Sequence, residues 1–326
     1  PTRWNSCART SRVPARYPHA SPSQADPVST GNPRVYLIDA SIYIFRAWFS
    51  VPGSLTNSAG EPVNAVHGFA GFLAGFLSGV QPVHVAVVFD ESLTTSFRND
   101  IYPQYKANRE PAPAELKRQF GMCRQLVAAL GLAGFSSERY EADDLIGTLA
   151  AGLRPGGFSV EILSADKDLA QLVGENDVLW DYARNRRHAC ADIPKLLGVR
   201  AVQVADWLAL TGDAVDNIPG VPGIGAKTAA ALLAAFGSLD GLYADLDAIS
   251  DSGIRGAARI RRLLEEHEDT ARLARELTGI AIDPELAVTG QDLQRRRVSP
   301  EDVKSVCHEI GLGRATQTRL LRAIDL

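Results

Sequence analysis

Cysteine and histidine are sparse in this chain, and neither falls in a pattern that builds a scaffold. The four cysteines, Cys7, Cys123, Cys190 and Cys307, form no CxxC pair, and the six histidines show no HExxH spacing. A zinc framework and a disulfide scaffold are therefore excluded, and the thiols read as reduced groups of a cytoplasmic protein. No apolar run approaches the roughly 18 residues of a membrane span, which excludes a membrane partner. The opening stretch, residues 1–33, has no continuous apolar core of a secretory signal. It is rich in Pro, Ser, Arg and Ala and reads as a disordered tail; position 1 is Pro, as from a misassigned start. Positive charge is also lacking, since the net charge of −4 taken alone argues against a polyanionic partner.

What is present is an ordinary globular composition, 45% hydrophobic and 22% charged in 326 residues, enough for one large or two modest domains. VYLID (35–39), HVAVVFD (84–90) and VEILSADKD (160–168) read as buried parallel strands, with helical segments between them. Such alternation predicts an α/β, Rossmann-like and mostly parallel sheet with helices on both faces. Ligands bind beyond the carboxyl ends of such strands, where Asp39, Asp90, Asp166 and Asp168 are expected. From about residue 192 helical patterns take over, in IPKLLGV, AVQVADWLALTG, AKTAAALLAAFG and AARIRRLLEEHEDTARLARELTG. The predicted organisation is a tail at 1–33, an α/β unit at 34–191, a helical region at 192–290 and an extension at 291–326. In the extension one helix is expected at SPEDVKSVCHEIGL, opened by a Ser cap with Pro at the first helical position.

The acids at the strand ends are joined by Glu141, Asp143 and Asp144 in EADDLIG, and by Asp213 and Asp216 in LTGDAVDNIPG. Of these nine, only those beside Lys167 have a nearby cation in sequence. Grouped carboxylates raise one another's pKa, a penalty that a divalent ion removes. An all-oxygen set without Cys or His selects Mg²⁺ or Mn²⁺ over zinc. Two such ions about 4 Å apart serve phosphodiester cleavage.

VYLIDAS, AVVFDES, SFRNDIYPQYKANR, EADDLIGTLA, LSADKDLAQLV and LTGDAVDNIPGVPGIGAKTAAALL resemble, in order and spacing, the 5′ nuclease domain of bacterial DNA polymerase I and its stand-alone relatives in the flap endonuclease superfamily. The resemblance covers roughly residues 35–290. It implies a PIN-like nuclease domain with a C-terminal helix-three-turn-helix region, and a two-metal site. Asp39, Asp90, Glu141, Asp143 and Asp166 would hold one ion, Asp168, Asp213 and Asp216 the other, and Asp144 would act through water. Ala165 departs from the Gly usual before DKD.

The same resemblance implies an arch at about 92–118. By themselves its interleaved basic and aromatic residues are a weak signal, since such a face is usually ordinary surface. As an arch it would carry Lys106 and Arg109 to the scissile phosphate and Arg98, Tyr102 and Tyr105 to DNA; Pro103, Pro111 and Pro113 make it mobile without DNA. Gly220, Gly223 and Gly225 read either as a tight turn or as a phosphate cradle; in the family they belong to the hairpin that grips the duplex, with Lys227 and Thr228 beside it and a K⁺ ion at 220–228. The arginines of ARIRRLLEE extend that footing or decorate an amphipathic helix. With the nine site carboxylates neutralised, the formal charge of −4 becomes +5. The expected activity is 5′-3′ exonuclease and 5′ flap endonuclease cleavage of DNA in the bacterial cytosol, at the nucleoid. The protein is expected to act as a free-standing monomer serving a separate polymerase. A PIN-like ribonuclease and a catalytically silent junction-binding protein are the alternatives.

Overall fold

The computed structural model describes residues 31–91 and 96–325. The tail expected at the N-terminus lies almost wholly outside the described residues, as do the first positions of the arch.

Six strands form one sheet in the order β3-β2-β1-β4-β5-β6. They are β1 (Arg34–Asp39), β2 (His84–Asp90), β3 (Ala133–Ser137), β4 (Ser159–Leu163), β5 (Val178–Asp181) and β6 (Arg186–Ala189). The first five are parallel and β6 pairs antiparallel with β5. The chain winds outward from β1 through β2 to β3, then returns to the other side of β1 as β4. That reversal makes the carboxyl end of β1 a topological switch point, the place where open α/β sheets bind ligands.

β1, β2 and β4 form where the sequence predicts them, because Val35–Ile38, Val85–Phe89 and Val160–Leu163 are all buried. β4 stops at Leu163 and does not run on to residue 168. There the Ser164 hydroxyl accepts the Asp166 amide at 3.0 Å and the Asp166 carboxylate accepts the Asp168 amide at 2.9 Å. These local bonds offer the backbone an alternative to the ladder, and the chain turns. The remaining strands are too short or too polar to announce themselves: AGFSS, VLWD and RRHA lie toward or at the sheet edges.

Helices cover both faces. On one side pack α1 (Ala40–Ser50) and α2 (Asn64–Val80), and, after the short α3 (Phe97–Ile101), α4 (Ala114–Ala129). Their core is aromatic: Tyr43 stacks on Phe72 with ring centroids 3.8 Å apart, and Phe72 also meets Phe69, Phe76 and Tyr182. Truncating this fully buried ring, Phe72→Ala, is expected to cost about 3–5 kcal/mol, read as a lower urea midpoint with an unchanged slope.

The other face is covered by α5 (Ala142–Leu153) and by the helical region, whose elements are α6 (Ile193–Leu197), α7 (Val204–Thr211), α8 (Ala226–Phe236), α9 (Leu239–Ala244), α10 (Ala257–Glu266) and α11 (Glu268–Thr278). Leu145, Leu149 and Ile162 of the sheet unit share one apolar cluster with Leu208, Leu233, Leu264 and Leu277. The core therefore runs without a break across the expected boundary at 191/192.

The C-terminal extension holds two helices rather than one, α12 (Pro300–Ile310) and α13 (Arg314–Ile324). Ser299 caps α12 as predicted, accepting the Glu301 amide at 3.1 Å. α13 escaped notice because RATQTRLLRAI fully buries only Thr316, Leu320 and Ala323. It lies on α2, where Arg319 donates to the Gly71 carbonyl at 3.3 Å.

Candidate active site

Asp39 ends β1 and caps α1. One oxygen accepts the Ile42 amide at 3.4 Å and the other the Ser164 hydroxyl at 2.8 Å, so β1 and β4 hold it from two sides. Asp90 ends β2 and accepts the Ala142 amide at 2.9 Å, drawing the start of α5 to the sheet edge. Glu141 is the N-cap of α5, and its amide donates to the Asp144 carboxylate at 3.1 Å. Asp166 and Asp168 follow in the turn after β4. Asp213 and Asp216 sit in a loop closed by paired backbone bonds between Asp213 and Ile218, at 3.0 and 2.8 Å.

Burial and mutual repulsion dominate the electrostatics. Burial first, then Asp90, pushes the Asp39 carboxyl up to about 7. Burial, then Asp166 and Asp213, pushes Asp168 up to about 8. Asp143 is raised well above the usual carboxylate range by burial and by Asp166, Asp39 and Asp90. Asp166 and Asp213 are raised as well, chiefly by burial. Asp216 goes the other way: burial alone would raise it, but the Lys106 and Arg109 charges outweigh that and hold it low.

Lys106 donates to Glu141 at 2.7 Å and lies 3.7 Å from Asp216, while Arg109 pairs with Asp216. Burial opposes charge on Lys106, but Glu141 and Asp216 more than offset it, so the ammonium titrates well above its ordinary range. Two asparagines that sequence reasoning passed over join this segment to the 213–218 loop. Asn108 donates to the Ala214 carbonyl at 3.0 Å, and Asn217 donates to the Gln104 carbonyl at 2.7 Å. Their role shows only once the two loops are brought together.

Three expectations need correction. Arg98 does not face a nucleic acid: it is 3% exposed and clamps Asp144 with two bonds of 2.7 and 2.8 Å. Asp144, wholly buried, accepts two donors on each oxygen and has no capacity left for an ion or its water. Tyr105 is 4% exposed and donates to Glu141 at 3.0 Å, so its ring offers no stacking platform. The acids are thus not free of cations, because Arg98, Lys106 and Arg109 all reach them from the segment after β2. Tyr102 is half-buried, its hydroxyl on Gln104 at 3.1 Å.

At the hairpin the three glycines separate into different roles. A Cβ at Gly220 would come within 2.4 Å of the Gly212 nitrogen, so this glycine permits two backbone segments to touch. Gly223 has φ +82°, and a Cβ there would strike the Arg259 guanidinium at 2.6 Å. Only Gly225 faces open space, at the N-cap of α8, beside exposed Lys227 and half-buried Thr228. Arg259 of α10 is thereby placed at the hairpin.

Among the described residues no three acids are drawn into a ready-made ligand group. Protein donors hold several of their oxygens instead. The donor set nevertheless fits a hard divalent cation: it is all carboxylate, its members repel, and Glu141 Oε1 is buried without a hydrogen-bond partner.

A parallel sheet with acids at its switch point, joined to a helical unit with a glycine hairpin, defines the class of protein by its architecture. The chain belongs to the 5′-3′ exonuclease family: residues 34–196 match its N-terminal resolvase-like domain and residues 199–301 its C-terminal SAM fold. It is 40% identical over 256 residues to DNA polymerase I of Rhizobium leguminosarum, covering 76% of this chain and 24% of that protein. The chain thus spans about a quarter of this relative's length. Its fold is that of the bacteriophage T5 flap endonuclease in a complex with DNA and metal ions (TM-score 0.59, 18% identity, 89% of this chain and 97% of that one). The catalytic core of Rad2 in complex with DNA substrate is likewise similar (TM-score 0.58, 15% identity, 90% and 93%). Among the described residues no helix is long and apolar enough to cross a membrane. Cys123, Cys190 and Cys307 are free thiols.

Proposed function

We propose that the chain hydrolyses DNA phosphodiester bonds as a structure-selective 5′-3′ exonuclease and 5′ flap endonuclease dependent on two Mg²⁺ or Mn²⁺ ions. The observation that carries this reading is the mutual repulsion of Asp39, Asp90, Asp143 and Asp166 beyond the strand ends, with the buried Oε1 of Glu141, two residues before Asp143, left without a hydrogen-bond partner. These five would hold one ion, and Asp168, Asp213 and Asp216 the second. When bound, such ions polarise a phosphate and activate water. The chain's own part is electrostatic and positional. Lys106 and Arg109, which pair with Glu141 and Asp216, would stabilise the charge that develops on a phosphate held there. Lys227, Thr228 and the exposed amides at the start of α8 would hold duplex backbone, with Arg259 beside them and a K⁺ ion on the 220–228 hairpin. In this reading the protein works as a monomer in the bacterial cytosol, on nucleoid DNA, alongside a DNA polymerase.

Incubation with 5′-labelled flap DNA, matched flap RNA and blunt duplex, in Mg²⁺, Mn²⁺ or EDTA, tests the proposal. Metal-dependent cleavage at the DNA flap is expected. Preference for single-stranded RNA would favour a ribonuclease, and tight flap binding without cleavage a scaffold. Lys106→Ala is expected to slow single-turnover flap cleavage by about 10²–10³-fold, the size seen when one preorganised donor to a developing negative charge is lost. An unchanged rate would remove Lys106 from the mechanism.

A further inference from the structure

We infer that Arg98 and Asp144 form a positioning clasp, which sets the acidic start of α5 against the end of α11 and thereby aligns Glu141 and Asp143 for a divalent ion. The inference rests on the metal-site reading above. Neither residue touches substrate or ion; both act through what they hold.

The guanidinium of Arg98 uses four of its five donors. Two bonds go to Asp144, and two more reach the carbonyls of Leu277 at 2.8 Å and Gly279 at 2.7 Å. Asp144 answers in both directions, accepting the Glu141 amide at 3.1 Å and the Ala281 amide at 2.8 Å. One buried ion pair therefore binds three parts of the chain: the arch base, the helix that presents Glu141 and Asp143, and the segment at which the helical region returns to the sheet unit.

That returning segment is laced further along its length. Gln171, three residues past Asp168, donates to the Thr278 carbonyl at 3.1 Å and accepts the Ile280 amide at 3.2 Å. Thr148 donates to the Asp144 carbonyl at 2.8 Å and accepts the Asp283 amide at 2.9 Å. A buried ion pair is weak evidence for stability, since apolar replacements are often neutral. What a planar five-donor fork supplies is fixed geometry, which Lys cannot reproduce. Here that geometry registers the hairpin-bearing region to the acids.

The test uses the full chain, Mn²⁺ as probe and no DNA. Arg98→Lys keeps the cation and loses the fork; Asp144→Asn keeps the shape and loses the charge. Electron paramagnetic resonance titration of the metal-free proteins is expected to show an Mn²⁺ dissociation constant raised about tenfold in each, the size typical when a group orienting a ligand is removed. Hydrogen exchange at the Ala281 and Asp283 amides should quicken about tenfold in the same variants. If both fail to fold, Gln171→Ala loosens the same segment from outside the acid cluster and should raise the constant about threefold. Variants that bind Mn²⁺ as the parent does, even with faster exchange, overturn the clasp and leave a structural pair. A parent that binds no Mn²⁺ overturns the metal-site reading, and this inference with it.

Discussion

Asp166→Ala is expected to lower flap cleavage by about a thousandfold or more while leaving the affinity for the same DNA within about twofold. A bound ion is worth several kcal/mol of transition-state stabilisation, and about 4 kcal/mol corresponds to three decades in rate. Asp166 lies in the turn after β4, where its charge raises the pKa of Asp39, Asp143 and Asp168 together. Its loss therefore reaches several members of the cluster at once. DNA affinity, by contrast, would rest on the hairpin and α8, built from other parts of the chain. The alanine also removes the acceptor for the Asp168 amide. Asp166→Asn keeps that acceptor and should be equally inactive. In EDTA, asparagine should melt higher than the parent because one repelling charge is gone. An active Asp166→Asn enzyme would show that the ligand assignment is wrong.

Stability of the metal-free protein is expected to fall as pH rises from about 4 to about 8, which is unusual for a protein with many acids. Unfolded aspartates release their protons near 4. In the folded chain Asp39 keeps its proton to about 7 and Asp168 to about 8. Between those limits the folded state binds more protons than the unfolded one, so stability decreases with rising pH. A proton held through one further pH unit is worth about 1.4 kcal/mol, so the loss across the whole window reaches several kcal/mol. Calorimetry in EDTA should show a melting temperature lower at pH 8.5 than at pH 5, and Mg²⁺ should recover most of the loss at pH 8.5 and little at pH 5. A melting temperature that is flat or rises with pH in EDTA would contradict this.

The strands that organise the edge were legible because parallel strands buried on both faces are continuous apolar runs, and β1, β2 and β4 are such runs. β3, β5 and β6 were not, because strands of four or five residues are too short to impose a pattern, and β3 and β6 at the sheet edges are largely exposed or half-buried. α13 was hidden because it fully buries only Thr316, Leu320 and Ala323, a single large aliphatic side chain among them.

At the site the division is sharper. Short motifs announce carboxylates, and the order of strands and helices sends Asp39 and Asp90 to a common edge, since a parallel sheet aligns its carboxyl ends. All of that follows from local pattern. The partners of those acids do not. SFRNDIYPQYKANR reads the same whether its basic groups point outward to a phosphate or inward to an acid, and Arg98 meets Asp144 only because residues 46 positions apart, with carbonyls 179 and 181 positions away, are folded together. Charge type and spacing along the chain determined that this protein gathers acids at one edge of its sheet. Which acids stay open to a ligand and which are consumed by a buried arginine was decided by tertiary structure alone, because a hydrogen-bond donor reveals its acceptor only in three dimensions.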